Sequence, residues 1–243
     1  MSKRPMGDGA PSELPDVEVA AADAVRRLGE GLLGRDVDPA ISADVAERLE
    51  ELVGLVEACP PRTKVEAFGR YSGHQRIEHF VSTGRWPEPP ADGAELTFDA
   101  LSFVGGRLNP FSAGARYWRD GDEAVATARF STCYEGPPNR AHGGVIASAF
   151  DEVMSSVFRV RGLASAFTGT LTVRYVAPAP IDTDVEFRAR LGATEGRKHH
   201  VDATAVGPDG VFAEATGTFI EMNREQFAAA VAAGSSIPDQ PDR

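Results

Sequence analysis

Cysteine is scarce in this chain: Cys59 and Cys133 are the two among 243 residues, and they sit in unrelated surroundings. With no CxxC pair and no Cys/His ligand spacing, the sequence argues against a zinc site and against a disulfide framework. Two reduced thiols in a cytoplasmic protein are expected instead. A surplus of positive charge is also missing. Asp and Glu number 36 against 25 Lys and Arg, a net charge of −11. That balance disfavours non-specific binding to nucleic acid or anionic membrane, but it leaves room for a local basic pocket. No run of about 18 apolar residues could span a bilayer. The opening "MSKRPMGDGAPSELPD" has early basic residues but no apolar stretch behind them, so no secretory signal is expected. What is present is ordinary globular material, 42% apolar and 25% charged. At this length it allows one large domain, or one ordinary domain with an extension.

Residues 1–16, rich in Pro, Gly and charge, are expected to be disordered. Val19 to Leu33 carries Val25, Leu28 and Leu32 at helical spacing. A second helix is announced by Asp38 as N-cap and Pro39 at the first helical position. Its stripe of Ile41, Val45, Leu49, Leu52, Val53 and Val56 ends at "CPP", residues 59–61. A polar connecting segment closes in prolines near residue 90. From about residue 95 the pattern changes to alternating apolar and polar residues between Gly, Asp and Pro turns. "ELTFDALSFVGG", "GARYWRDGDEAVATARFST", "AFTGTLTVRYVAPAP", "DTDVEFRARLGATEGRKHHVDATAVGPDG" and "VFAEATGTFIEM" are expected as antiparallel strands. Between them, Gly143 to Val160 is apolar on nearly every helical face, the mark of a buried helix. The expected architecture is α+β, an antiparallel sheet wrapped on one central helix. After Met222 a short Ala-rich helix is expected, followed by a frayed tail.

The stretch "EGPPNRAHGGVIASAFDEVMSSVF", residues 135–158, concentrates the chemistry. The first N–H groups of a helix lack intrahelical acceptors and lie at its positive end. Glycines there let another group approach the backbone. "HGG" at a helix start can therefore serve as an oxyanion hole, although a simple turn capped by His142 remains an open reading. Two acids then interrupt the apolar run. Glu152 is expected on a solvated or salt-bridged helix face. Asp151, between Phe150 and Val153, is expected to be buried, and an acid so placed is a usable base for water.

"HGGVIASAFD", with its Asp nine residues after His142, resembles the signature of hotdog-fold acyl-CoA thioesterases of the PaaI-like branch. "EGPPNRAHGG" is similar to the lead-in of mammalian and actinobacterial members. "TGTLTVRYVAPAP" and "EGRKHHVDATAVGPDGVFAEATGTF" resemble the strand after the helix and the final hairpin, so the likeness covers about residues 97–222. The resemblance implies a hotdog fold and hydrolysis of an acyl-CoA to free acid and CoA without metal or cofactor. It assigns the oxyanion N–H to Gly143 with His142 beside the thioester carbonyl. It makes Asp151 the nucleophile or the base for water, and Thr168 the hydroxyl that helps hold that water. Gly136 stands where some members have an asparagine as second carbonyl contact, so a second donor is unassigned.

Gly144, Asn139 and Arg140 are candidates for the pocket and its mouth. Arg174, Arg197 and Lys198 are basic candidates for CoA phosphates, although solvated strand residues explain them as well. A helix rises about 1.5 Å per residue, so Gly143 and Asp151 stand roughly 12 Å apart on one helix. If both act on one carbonyl, the site must be shared between two subunits, a homodimer or a dimer of dimers. The expected division is a disordered 1–16, a helical extension and linker over 17–94, a hotdog thioesterase domain over 95–222 and a tail over 223–243. The competing functions are a non-catalytic acyl-CoA-binding hotdog module and an enoyl-thioester hydratase.

Overall fold

The computed structural model describes residues 14–61, 79, 82–96, 99–164, 166–221 and 225. The expected disordered start up to residue 13, most of the connecting segment and almost all of the tail lie outside the described residues. Three long helices are present: α1 (Asp16–Gly34), α2 (Pro39–Glu57) and α3 (Gly143–Val160). Six strands accompany them: β1 (Arg116–Asp120), β2 (Glu123–Arg129), β3 (Ala166–Tyr175), β4 (Asp184–Glu195), β5 (Lys198–Gly207) and β6 (Gly210–Glu221). They form one antiparallel sheet in the order β1-β2-β4-β5-β6-β3. None of the helices is long and apolar enough to cross a membrane, among the described residues.

Alternation sets the inner face of the sheet. On β4, Val185, Phe187 and Ala189 are buried while Glu186, Arg188 and Arg190 point outward, as a half-buried strand requires. Against that face lies α3, with Val145, Ile146, Phe150, Val153, Met154 and Val157 buried. Phe150 meets Phe187 edge-to-face with ring centroids 5.1 Å apart, and Phe187 meets Phe212 in the same way. Truncating a ring as enclosed as Phe150 to alanine costs about 3–5 kcal/mol. The central helix is therefore part of the core, as its apolar run predicts.

Three expectations change. "ELTFDALSFVGG" is not a strand: Glu95 makes one bridge to Trp118, and residues 99–112 run as successive turns. Local side chains hold those turns. Asp99 Oδ1 accepts from Leu101 N at 3.0 Å, and the Asn109 side-chain amide donates to the carbonyls of Leu101 and Ser102. Such bonds offer the backbone an alternative to a ladder.

The second change concerns α2. It starts as expected, with Asp38 accepting from Ala40 N at 2.8 Å. None of its residues is buried, and Ile41, Leu52, Val53 and Val56 are exposed. The third change concerns α1, which seats itself through Val19 and Ala22 rather than through Val25 and Leu32. Val19 joins Ala100 and Leu108 in a small second cluster, and Arg26 donates to the carbonyl of Asn109 at 3.0 Å.

Candidate active site

The N-terminus of α3 is built by a tight loop. His142 N donates to Tyr134 O at 2.7 Å, and Gly136 N donates to Arg140 O at 2.9 Å. An added Cβ at Gly136 would lie 3.0 Å from His142 Cα, so the loop closes on the histidine because residue 136 has no side chain.

His142 is the N-cap of α3, and its Nδ1 accepts from Gly144 N at 2.9 Å. The neutral imidazole must then carry its proton on Nε2. Gly144 N–H is thus occupied by the cap, whereas Gly143 N–H has no acceptor among the described residues. Tyr175, at the end of β3, donates its hydroxyl to Gly143 O at 2.7 Å. A Cβ at Gly143 would lie 3.1 Å from that hydroxyl, so glycine is what allows the tyrosine so close.

About two turns along the helix, Asp151 Oδ1 accepts from Thr168 Oγ1 at 2.6 Å. The β3–β6 register slips between Thr168 and Thr170. A bulge there re-aims a strand side chain, and Thr168 is the one turned to the helix. Asp151 is half-buried rather than enclosed in the apolar run. Its neighbour Glu152, also half-buried, is tied to the turns at 102–105 and to Tyr117, contrary to the solvated or salt-bridged face expected for it. Glu152 Oε1 accepts from Val104 N at 2.9 Å, and Oε2 accepts from Tyr117 OH at 2.7 Å and from Ser102 Oγ and Gly105 N at 3.1 Å. Burial pushes its carboxyl above the usual range, while these hydrogen bonds pull the other way.

A cleft of about 470 Å³ opens beside the helix start, with Phe103, Tyr134, Glu135, His142, Gly144 and Val145 among its walls. Burial of the Tyr134 hydroxyl pushes it up to about 12. Asp151 and Thr168 do not line this cleft. One chain therefore presents two half-sites, the helix start with His142 and Gly144 on the cleft wall, and Asp151–Thr168 beside β3.

The remaining sequence candidates are dispersed. Asn139 adopts a left-handed backbone (φ 61°) and donates its N–H to Glu135. Arg140 is exposed and bridges to Pro180. Arg174 pairs with Glu214 at 3.1 Å, Arg197 donates twice to Glu221 O, and Lys198 begins β5. These basic residues are not gathered at the cleft within one chain. Among the described residues no group of three His, Cys, Asp or Glu is close enough to hold a metal ion. Sequence reasoning missed Tyr175 as a partner of Gly143, Phe103 as a cleft wall and Glu152 as a buried acceptor. A tyrosine seven residues after Thr168 was in view, but strand spacing alone does not say what an edge strand faces.

Comparison with known proteins adds to this geometry. Residues 139–213 match the family model of the thioesterase superfamily. The human acyl-coenzyme A thioesterase THEM5 is 32% identical over 94 residues, 38% of this chain and 38% of its own length. The mouse acyl-coenzyme A thioesterase THEM4 is 31% identical over 94 residues, 38% of this chain and 40% of its own. The chain thus spans about two-fifths of the length of these curated relatives. A crystal structure of RHA08564, a thioesterase superfamily protein, superposes with a TM-score of 0.65 at 23% identity, over 90% of this chain and 94% of that one. Helix-on-sheet architecture and the glycine-started central helix agree with a hotdog fold, and residues 139–213 are similar to the thioesterase superfamily.

Proposed function

We propose that the protein hydrolyses an acyl-CoA thioester to a free acid and CoA. The observation that carries this reading is the Asp151–Thr168 pair, a carboxylate held at 2.6 Å by a hydroxyl on the same helix that begins with an unpartnered Gly143 N–H. Asp151 takes a proton from water as the water oxygen bonds to the thioester carbonyl carbon. Thr168 fixes the direction of the carboxylate. Gly143 N–H receives the developing oxyanion, and His142 Nε2–H is the second donor beside it. When the tetrahedral intermediate collapses, the C–S bond breaks and the departing thiolate regains a proton. The likeness to the acyl-coenzyme A thioesterases over 94 residues supports the substrate class, and the superfamily match over 139–213 includes His142 to Asp151.

The two half-sites join in a homodimer. β3 is an edge strand of ten residues without proline, with Phe167 and Tyr175 exposed, and such an edge invites another strand. β3 runs antiparallel to α3, because Thr168 meets Asp151 and Tyr175 meets Gly143. Pairing of two β3 strands about a two-fold axis between Leu171 and Thr172 sets Thr168 opposite the second copy's Tyr175. Asp151 then faces the Gly143 of the other subunit, which resolves the separation along one helix.

Complementation tests this. Asp151→Ala removes the acid, and Gly143→Pro removes the N–H at a first helical position that suits proline, although its ring presses on Tyr175, so folding of this variant is verified first. Each homodimer should be nearly inactive in a thiol-release assay. Random hybrids retain one intact site in half the dimers, so activity should return to about a quarter of wild type. Well-folded hybrids without recovery would show that the two groups do not act across the interface. A wild-type protein that binds CoA thioesters without releasing thiol would make it a binding module.

A further inference from the structure

We infer that Phe103 is the specificity-determining wall of the acyl pocket and that Glu152 positions it. This rests on the thioesterase reading above and deepens it. Phe103 is a large apolar side chain left 49% exposed, yet the backbone on either side of it is firmly held. Its neighbours Ser102 and Val104 are buried at 8% and 0% exposure. Val104 O accepts from Ala115 N at 2.9 Å and from Ser112 Oγ at 2.8 Å. Ser102 Oγ, Val104 N and Gly105 N all converge on the Glu152 carboxylate, which Tyr117 also holds. With the residues on either side directed inward, the Phe103 ring has one direction left, into the cleft.

That cleft also contains His142, Gly144, Val145 and Tyr134, so the ring shares a cavity with the proposed carbonyl site. A volume of about 470 Å³ falls within the usual range of about 300–1,000 Å³ for small-molecule sites. The chemistry of the wall suits an alkyl or aryl acyl group that ends against the phenyl ring, not a charged or strongly polar one. Glu152 does not touch substrate in this arrangement. It is a positioning residue that acts through the backbone of 102–105. No strand ladder holds this segment, so the carboxylate supplies the acceptors a partner strand would have supplied.

The test is the acyl-length profile of kcat/KM over a series of straight-chain acyl-CoAs, with folding of each variant verified by circular dichroism. Phe103→Ala should shift the preferred length upward and change the long-to-short ratio by about tenfold, the usual scale for a pocket that gains or loses methylene space. Phe103→Trp should shift it downward. Glu152→Gln, assayed well below its melting temperature, should move the ratio in the direction of Phe103→Ala. In the double variant it should add little to the effect of Phe103→Ala, because both act on the same wall. Asp151→Asn provides the contrast, lowering all lengths together.

Profiles for both Phe103 variants that superimpose on wild type after scaling would overturn the specificity role while leaving the thioesterase reading intact. Additive effects of Glu152→Gln and Phe103→Ala would overturn the positioning role alone. A wild-type protein that turns over no member of the series would remove the thioesterase reading, and this inference with it.

Discussion

Asp151 and Glu152 are one position apart on α3 and about 100° apart around its axis. On one side, Asp151 meets Thr168 on an edge strand whose outer side is unpaired among the described residues. On the other, Glu152 is enclosed by Tyr117 and by the turns at 102–105, with four donors on its two oxygens. Under the proposed mechanism the same chemical group does two different jobs. An acid that must exchange protons with water needs an approach for that water. An acid that must hold a loop needs to be surrounded by donors. Burial, which sequence reasoning used to nominate the catalytic acid, marks the structural one here.

The comparison can be broken most decisively at Asp151. Asp151→Asn should lower thioester hydrolysis by about 100-fold or more, the scale of a lost general base, with the far-ultraviolet spectrum unchanged. Glu152→Gln should act on the fold. An amide offers one acceptor oxygen and sets its NH2 against backbone N–H donors, so chemical denaturation should show a loss of about 1–3 kcal/mol. A larger rate loss at Glu152 than at Asp151 would reverse the assignment.

A smaller effect is expected from Thr168→Ala. Removing a hydroxyl that donates to a carboxylate should reduce turnover by roughly tenfold with little change in melting temperature. Smallest is a pH effect. Burial raises the Glu152 carboxyl in the folded state, so the folded protein holds that proton more tightly than the unfolded chain does. Stability from this group is complete below the ordinary carboxylate pKa of about 4.3 and is lost as pH rises through the raised value. Denaturation of wild type and Glu152→Gln across that window should show the extra downward slope in wild type alone. Parallel slopes would show that the four donors cancel the burial.

The central helix and the four strands after it were legible because their patterns are local. All-round apolarity means a helix with packing on every side, and alternation means a sheet with one face covered. The N-cap roles of Asp38 and His142 were legible for a similar reason: a cap depends on two or three residues. The path of 95–115 was not. Its strand-like alternation is real, with Ser102, Val104, Gly106 and Leu108 facing inward, but the acceptor that holds it lies about 50 residues later on α3. At the site, "HGG" and Asp151 were visible as a spaced signature. Tyr175 against Gly143 O was not, since that contact depends on how an edge strand lies along a helix. The stripe of α2 shows the opposite limit, because periodicity tells which face is apolar and nothing about what meets it.

The seat of α1 bears on the order in which the molecule is assembled. The helix precedes its partners in the chain: the anchor of Arg26 at Asn109 lies 83 residues later, and Gly29 packs near Cys133, later still. Closing so long a loop is entropically unfavourable until the distant partners exist. α1 therefore docks only after the turns at 99–112 and the segment at 132–134 have formed. Those are the elements that supply Phe103 and Tyr134 to the cleft. The sheet and central helix can condense first, and the cleft takes its final shape when α1 closes against the segments that carry Phe103 and Tyr134.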